Sequence, residues 1–330
     1  MGVRTIALRR IACLSLFLAL SPYAASAGNE VTLALNWVPR ADHMPFVFAQ
    51  RQGWYRDAGI DLTIESLTGS PAAVKRAAES ANAFAVADFV PYLREWAKGS
   101  GTTAVMVLEP HSPFAVYSAV DTGIRTLPDL AGKRIAAQPA DLLRSLWPAF
   151  AAGLGVDARG LTWVDLANPA KPDALSAGEV DAAFNPFLHN HLNYAATLGE
   201  RMRVLWWHQA GFPAYGHVLV AGAGTIEASP QLVQRFVAVT KRAWAQCLRV
   251  PQPCLDALLE EHPQLERASE DALWKLVVGL YGDAAGGQSG IGAFDPARVR
   301  RSIELVRSAY GLPVTGADRV AFTNAFVAAP

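Results

Sequence analysis

The sequence predicts an α/β protein of mainly parallel sheets covered by helices, and three observations carry that expectation. Short apolar runs of strand length recur along the chain, helical stretches separate them, and from Ser229 onward the pattern becomes wholly helical. The first unit, Val31 to Ile64, shows the logic. Val31, Leu33 and Leu35 alternate as one face of a strand, and the chain turns at Asn36-Trp37-Val38-Pro39. Arg40-Ala41-Asp42-His43 leads into a helical segment from Met44 to Gln50, and a second strand, Ile60 to Ser66, follows the break at Gly59. Polar and aromatic residues gather just past the first strand's carboxyl end, the edge at which open α/β sheets bind ligands.

The remaining elements follow in order. Ala83–Ala87 and Thr103–Leu108 read as strands, with helices at Ala72–Ser80 and Pro91–Lys98. A turn or short helix after Thr126 precedes a strand at Arg134–Ala137 and a helix from Ala140. Strands at Leu161–Asp165 and Val180–Phe184 flank the helix Pro172–Ala177, and two more lie at Arg203–Trp206 and His217–Ala221. Ser229 followed by Pro230 is an N-cap with proline in the first turn. Leu232, Val233, Phe236, Val237, Trp244 and Leu248 then give that helix one apolar face. Helices at Cys254–Glu261, Glu270–Tyr281 and Pro296–Tyr310 complete the chain.

The N-terminus reads as an export signal. Arg4, Arg9 and Arg10 precede the apolar core Ile11–Leu20, and Ala25-Ser26-Ala27 is a small-residue cleavage site, so cleavage after Ala27 and residence in the periplasm are expected. That core is shorter than the roughly 20 residues needed to span a bilayer. Twenty-nine basic and 29 acidic residues cancel, which removes any bulk electrostatic pull toward nucleic acid or an acidic membrane. With 52% hydrophobic residues a chain of this length can bury a large core and divide into two domains. Cys247 and Cys254 are the two cysteines beyond the signal. In an oxidising compartment they form either a small-loop disulfide or two buried thiols, and spacing does not decide between them.

The run NWVPRADHMPF, followed by GWYRDAGIDLTI, resembles the start of exported substrate-binding proteins of the nitrate/sulfonate/thiamine-pyrimidine group. Those proteins share a fold with thiamine-pyrimidine synthase. GSPAAVKRAAES with AFAVAD, then SPFAVYSAVDTGIRTLPDLAGKRIA, LSAGEVDAAF and FPAYGHVLVAG, resemble that group's landmarks in the same order, so the likeness spans most of residues 30–310. It implies a two-lobed type II periplasmic-binding fold that closes on a small ligand and delivers it to the permease and ATPase of an ABC importer. One lobe is discontinuous in such folds. Crossings are expected near Val116–Gly123 and Tyr215–Gly224, with Gly216, Gly222 and Gly224 supplying hinge freedom. The first lobe would then be 28–118 plus 222–330 and the second 119–221, following a signal peptide of 1–27, with the protein a monomer.

The resemblance places an aromatic ligand-stacker at Trp37 and a contacting histidine at His43. Asn36 either holds a ligand or caps its turn. Ser70 is expected as an N-cap beside a helix terminus attractive to an anion or a polar ring substituent. Asp88 either accepts from a ligand amino group or caps the next helix. From the second lobe Gln138, Asn185 and Phe187 end strands, and Tyr215 and His217 lie at the second crossing, facing cleft or hinge. Pyrimidine binders of the group carry a glutamate near Asn185, which is missing here. His189 and His191 alone make a poor metal set, so no metal and no cofactor are expected. GxSxG, Walker, GxGxxG and HExxH motifs are absent, and the related synthase has a cysteine-dense iron motif and uses pyridoxal phosphate, so a non-enzymatic binder is expected. The expected ligand is a thiamine-type pyrimidine or similar planar heterocycle, with alkanesulfonate, nitrate or another small anion as the alternative.

Overall fold

The computed structural model describes residues 1–2, 29–282, 291–312 and 320–327. The expected signal peptide and its cleavage site lie outside the described residues.

Among the described residues, ten strands form two five-stranded sheets. The first contains β1 (Asn29–Leu35), β2 (Ile60–Ser66), β3 (Ala83–Asp88), β4 (Thr102–Val107) and β10 (His217–Gly222), in the order β2-β1-β3-β10-β4. The second contains β5 (Ala115–Ala119), β6 (Arg134–Ala136), β7 (Thr162–Val164), β8 (Ala182–Asn185) and β9 (Met202–Trp206), in the order β7-β6-β8-β5-β9. Each sheet is parallel except for one strand. β10 runs antiparallel to both β3 and β4, and β5 runs antiparallel to both β8 and β9. The odd strand in each sheet is the first one built after the chain changes lobe, so it starts at the cleft edge where its parallel neighbours end.

The segments linking the lobes are 108–114 and 207–216. The first lies ahead of the expected Val116–Gly123, because the apolar run at Ala115–Ala119 is itself a buried strand held between β8 and β9. The second begins earlier than Tyr215, and by Gly222 the chain is already within the first sheet. The two links are bonded to each other: Gly216 N–H donates to Glu109 O (3.0 Å), Glu109 N–H to His217 O (3.0 Å) and Trp207 N–H to Phe114 O (2.9 Å).

Gly216 and Gly222, expected as hinge residues, are both closely packed. Neither has a positive φ, and a Cβ on Gly216 would run into the Glu109 carboxylate and lie 2.7 Å from His111 O, while one on Gly222 would collide with Ala77 O. At both positions glycine permits close backbone approach. Gly224 starts a helix and faces open space.

Helices cover both faces, with large aromatics filling the core of each lobe. In the first, Phe84 stacks on Phe236 at 4.1 Å between ring centroids, and in the second Phe150 stacks on Trp207 at 4.8 Å. Helix Pro230–Arg249 is joined to helix Gln252–Glu261 by the Cys247–Cys254 disulfide, both sulfurs being buried. Ser229 occupies the N-cap position of the first of these, but its hydroxyl makes no cap hydrogen bond.

Candidate functional site

A cavity of about 350 Å³ lies between the lobes at the edge where β1 and β3 end and β10 begins. The first lobe contributes Asn36, Trp37, Arg40, Asp42, His43, Asp88 and His217 to its walls, the second contributes Asn168 and the Pro186–Asn190 segment, and Glu109 enters from the first link.

Asn36, the first residue after β1, is the junction of a buried polar network. Its amide Nδ2 donates to Asp88 Oδ2 (3.1 Å), while Oδ1 lies 3.1 Å from His43 Nε2. An ionised carboxylate only accepts, so Asp88 fixes which end of the amide faces it. Oδ1 must then receive the Nε2–H of His43, which leaves Nδ1 of a neutral His43 as a bare lone pair. Burial, opposed by the nearby Asp42, holds the His43 pKa below its ordinary value. Nδ1 lies 3.3 Å from Asp42 Oδ1, and neither atom has a hydrogen-bond partner.

His217 sits opposite Asp88 in the β3–β10 register, between two carboxylates. Its Nε2 is 3.5 Å from Asp88 Oδ1 and its Nδ1 3.3 Å from Glu109 Oε1. Burial opposes its charge, but the Glu109 charge and the Asp88 and Glu109 carboxylates bonded to it raise its pKa well above 6.5. Burial likewise works against ionised Asp88, but His217, with Ser70 and Asn36, holds its carboxyl well below the usual range. His217 is therefore an imidazolium whose charge is committed to its two neighbours.

The one guanidinium on the cavity wall is also committed. Arg40 Nε donates to Glu270 Oε1 (2.6 Å), and the same buried carboxylate accepts from Ala41 N–H (2.8 Å). At the mouth, Trp37 from the first lobe and Phe187 from the second are 45% and 41% exposed, unusual for large aromatics at the ends of buried strands.

In the second lobe, Lys171 is completely buried and donates to Asp141 Oδ2 (2.9 Å), Asn168 Oδ1 (2.7 Å) and Phe184 O (2.8 Å). All three ammonium protons are used. Holding Asn168 by its oxygen leaves that residue's NH₂ as the group available to the cavity.

Of the residues singled out from sequence, Asn36, Trp37, His43, Asp88, Phe187 and His217 line this one cavity. Ser70 stands directly behind it, and Gly69 takes the N-cap position Ser70 was expected to fill. The Ser70 hydroxyl instead donates to Asp88 Oδ2 (2.6 Å) and accepts from Asp88 N–H (2.9 Å). Asp88 makes no side-chain cap bond to the helix Phe89–Ala97, its carboxylate being turned to Asn36 and Ser70.

Three residues lie elsewhere. Gln138 is solvent-exposed and off the cavity wall, because the turn after β6 projects it outward. Asn185 is buried beneath the wall, donating to Phe187 O (2.7 Å) and accepting from Asn190 Nδ2 (2.9 Å), so it shapes the loop that presents Phe187. Tyr215 belongs to the second link, where its hydroxyl accepts from Asp295 N–H (2.8 Å) and Arg298 covers its ring.

Glu109, Asn168 and Asn190 were not foreseen. Glu109 follows a strand whose end carries no polar cluster, and the two asparagines sit in short helical turns of ordinary composition.

Comparison with known proteins places this geometry in context. The chain is 24% identical over 325 residues to the riboflavin-binding protein RibY of Chloroflexus aurantiacus, covering 94% of this chain and 91% of that protein. It is 22% identical over 243 residues to the 4-amino-5-hydroxymethyl-2-methylpyrimidine phosphate synthase of Legionella pneumophila, covering 73% and 76%. The crystal structure of the periplasmic aliphatic sulphonate binding protein SsuA from Escherichia coli has the same fold, with a TM-score of 0.65, 16% identity and 86% and 87% of the two chains covered. The family model described as NMT1/THI5 like matches residues 40–253, most of both lobes, and the chain belongs to that family.

Proposed function

We propose that this protein is the solute-binding component of an ABC importer, exported to the periplasm, and that its cleft takes a small planar heterocycle rich in hydrogen-bond donors, such as an aminopyrimidine precursor of thiamine. The observation that carries the ligand class is the charge of the cavity wall. Asp42, Asp88 and Glu109 face it, the Arg40 guanidinium is engaged by Glu270, and the His217 charge is held between two carboxylates. An alkanesulfonate or nitrate would meet no uncommitted cation and three carboxylates, a desolvation cost with nothing to offset it. A ring bearing N–H groups finds three acceptor residues, Asp42, Asp88 and Glu109, on the cavity wall. Trp37 and Phe187, one from each lobe, offer flat apolar surfaces that favour the closed state when a ring lies between the lobes. RibY is named as a binder of riboflavin, which is also a flat heterocycle.

Catalysis of the synthase type has less support. Among the residues lining the cavity there is no lysine to form a Schiff base and no cysteine, and Cys247 and Cys254 are bonded to each other within the first lobe.

The test is a thermal-shift screen of residues 28–330, unfolded and refolded to remove carried-over ligand, against hydroxymethyl- and formylamino-pyrimidines, thiamine, riboflavin, taurine, longer alkanesulfonates and nitrate. A native-state ligand at a hundred times its Kd stabilises by about 2.7 kcal/mol. We expect a heterocycle to stabilise the protein and Trp37→Ala to weaken its binding at least tenfold, roughly 1.4 kcal/mol. Stabilisation by a sulfonate or nitrate that survives Trp37→Ala would overturn the ligand class.

A further inference from the structure

We infer that the floor of the cleft is a binding site for one divalent transition-metal ion of the zinc class, ligated by Asp42, His43 and His217 with a fourth position open to the cavity. A carboxylate oxygen of Asp42 and a ring nitrogen of each histidine lie within 4.8 Å of one another, and the three residues line the cavity. The ion would take the same Asp42 and His43 lone pairs that the N–H groups of a solute would take, so the ion and a donor-rich solute compete for this floor.

Three observations build the site. First, Asp42 Oδ1 and His43 Nδ1 are both cut off from solvent and both without a hydrogen-bond partner, 3.3 Å apart. Two lone pairs held that close repel unless something positive lies between them. The edge of a tetrahedron with metal–ligand bonds of about 2.0–2.1 Å is also about 3.3–3.4 Å, so this pair already has the spacing of two zinc ligands.

Second, the histidine is prepared for a metal by its other nitrogen. A ligating imidazole almost always donates its second N–H to an oriented acceptor, which fixes tautomer and ring plane. Here His43 Nε2–H is directed at Asn36 Oδ1 (3.1 Å), and Asp88 holds the amide that way round (3.1 Å). The chain Asp88–Asn36–His43 thus leaves a bare Nδ1 beside Asp42 Oδ1 beneath the cavity wall.

Third, the charge balance favours a cation. Three carboxylates stand at this wall: Asp42, Asp88 with Oδ1 3.5 Å from His217 Nε2, and Glu109 with Oε1 3.3 Å from His217 Nδ1. When the metal enters, His217 releases its proton to solvent and gives the ion a ring nitrogen. The ring stack of His43 and His217, with centroids 5.6 Å apart and planes within 16°, keeps both imidazoles at the same wall.

Two imidazoles with a carboxylate select zinc, cobalt, nickel or copper over magnesium or calcium, which prefer all-oxygen shells. A fourth position facing the cleft makes this an open site, available to a water or to a donor atom of a bound solute.

The experiment uses the purified chain treated with chelator and then titrated with Zn²⁺ by calorimetry and with Co²⁺ by visible absorption, without organic ligand, with Ca²⁺ as the hard-cation control. We expect one equivalent of Zn²⁺ and a Co²⁺ ligand-field spectrum of four- or five-coordinate type. Asp42→Asn and His43→Gln should each weaken Zn²⁺ binding at least tenfold, with unchanged far-UV circular dichroism. Asn36→Ala removes the acceptor on His43 Nε2 together with the Asn36 contacts to Asp88 and His217, and should weaken Zn²⁺ by about 10- to 100-fold. Because His43→Gln alters a buried ring, Asp42→Asn at the less buried carboxylate serves as the second variant. Failure to bind Zn²⁺ or Co²⁺ at millimolar concentration would overturn the site. So would binding that the Asp42 and His43 variants leave unchanged, or Ca²⁺ binding as tightly as Zn²⁺.

Discussion

Replacing Lys171 by methionine probes the second lobe where it depends on a single buried charge. Lys171 has no solvent exposure and its ammonium answers three oxygens, among them Asp141 Oδ2 at 2.9 Å, on a side chain only 5% exposed. Methionine fills a similar volume but leaves that carboxylate buried opposite an apolar group, keeping only its N-cap bond from Leu143 N–H (2.9 Å). Breaking a buried pair from one side costs about 3–5 kcal/mol, because the remaining charge is uncompensated. Against a total stability of roughly 5–15 kcal/mol this is a large fraction. Lys171→Met with Asp141→Asn removes the stranded charge and keeps an oxygen for the cap, so the double variant should recover at least half of the loss. The assay is urea unfolding followed by tryptophan fluorescence, since Trp147, Trp163, Trp206 and Trp207 all report on the second lobe. A loss below about 1 kcal/mol for the single variant, or a double variant no better than the single, would refute the reasoning.

The His217 imidazolium makes stability depend on pH. Its folded pKa is raised above 6.5, so its contribution is fully present below about pH 6.5 and fades as pH climbs through the folded value. Asp88 is depressed, so its contribution is present above about pH 3.8 and fades at lower pH. The urea midpoint of the wild type should therefore exceed that of His217→Gln by more at pH 6 than at pH 9, and an equal gap would contradict the ion pairing. Reduction of the Cys247–Cys254 bond, which closes a loop of seven residues' separation, should lower stability by roughly 2–2.5 kcal/mol, read as a shift in urea midpoint with and without reductant. Gly216→Ala forces a methyl against Glu109 and His111 O where the two links touch, so both melting temperature and heterocycle affinity should fall, and a neutral result would show that the links can separate without cost.

Much of this molecule was legible in its residues. Local periodicity placed nine of the ten strands, because each is a short apolar run bounded by turn residues. Trp37, Asp88 and Phe187, singled out because each lies at or just past a strand end with a residue type out of keeping with buried surroundings, all line the cavity. The strand at Ala115–Ala119 was missed as a strand because its apolar run abuts the landmark taken for a crossing. Whether it ends one lobe or begins the other depends on its partners β8 and β9, which lie far along the chain.

What the sequence by itself determined is therefore most of the elements, the sheet edge where polar and aromatic residues gather, and the family to which the chain belongs. What only the tertiary structure decided is which side chains share that edge and in what chemical state. Asp42 and His43 are neighbours in sequence, but His217 comes 174 positions after His43, and Glu109 reaches them from the link between the lobes. The Asn36 amide faces one way because Asp88 stands across from it, and that orientation together with burial leaves His43 Nδ1 without a proton. Hydrogen-bond direction, protonation and the neutralisation of Arg40 by Glu270 are set by distances of a few ångströms between residues remote in sequence, and no periodicity or spacing along the chain encodes them.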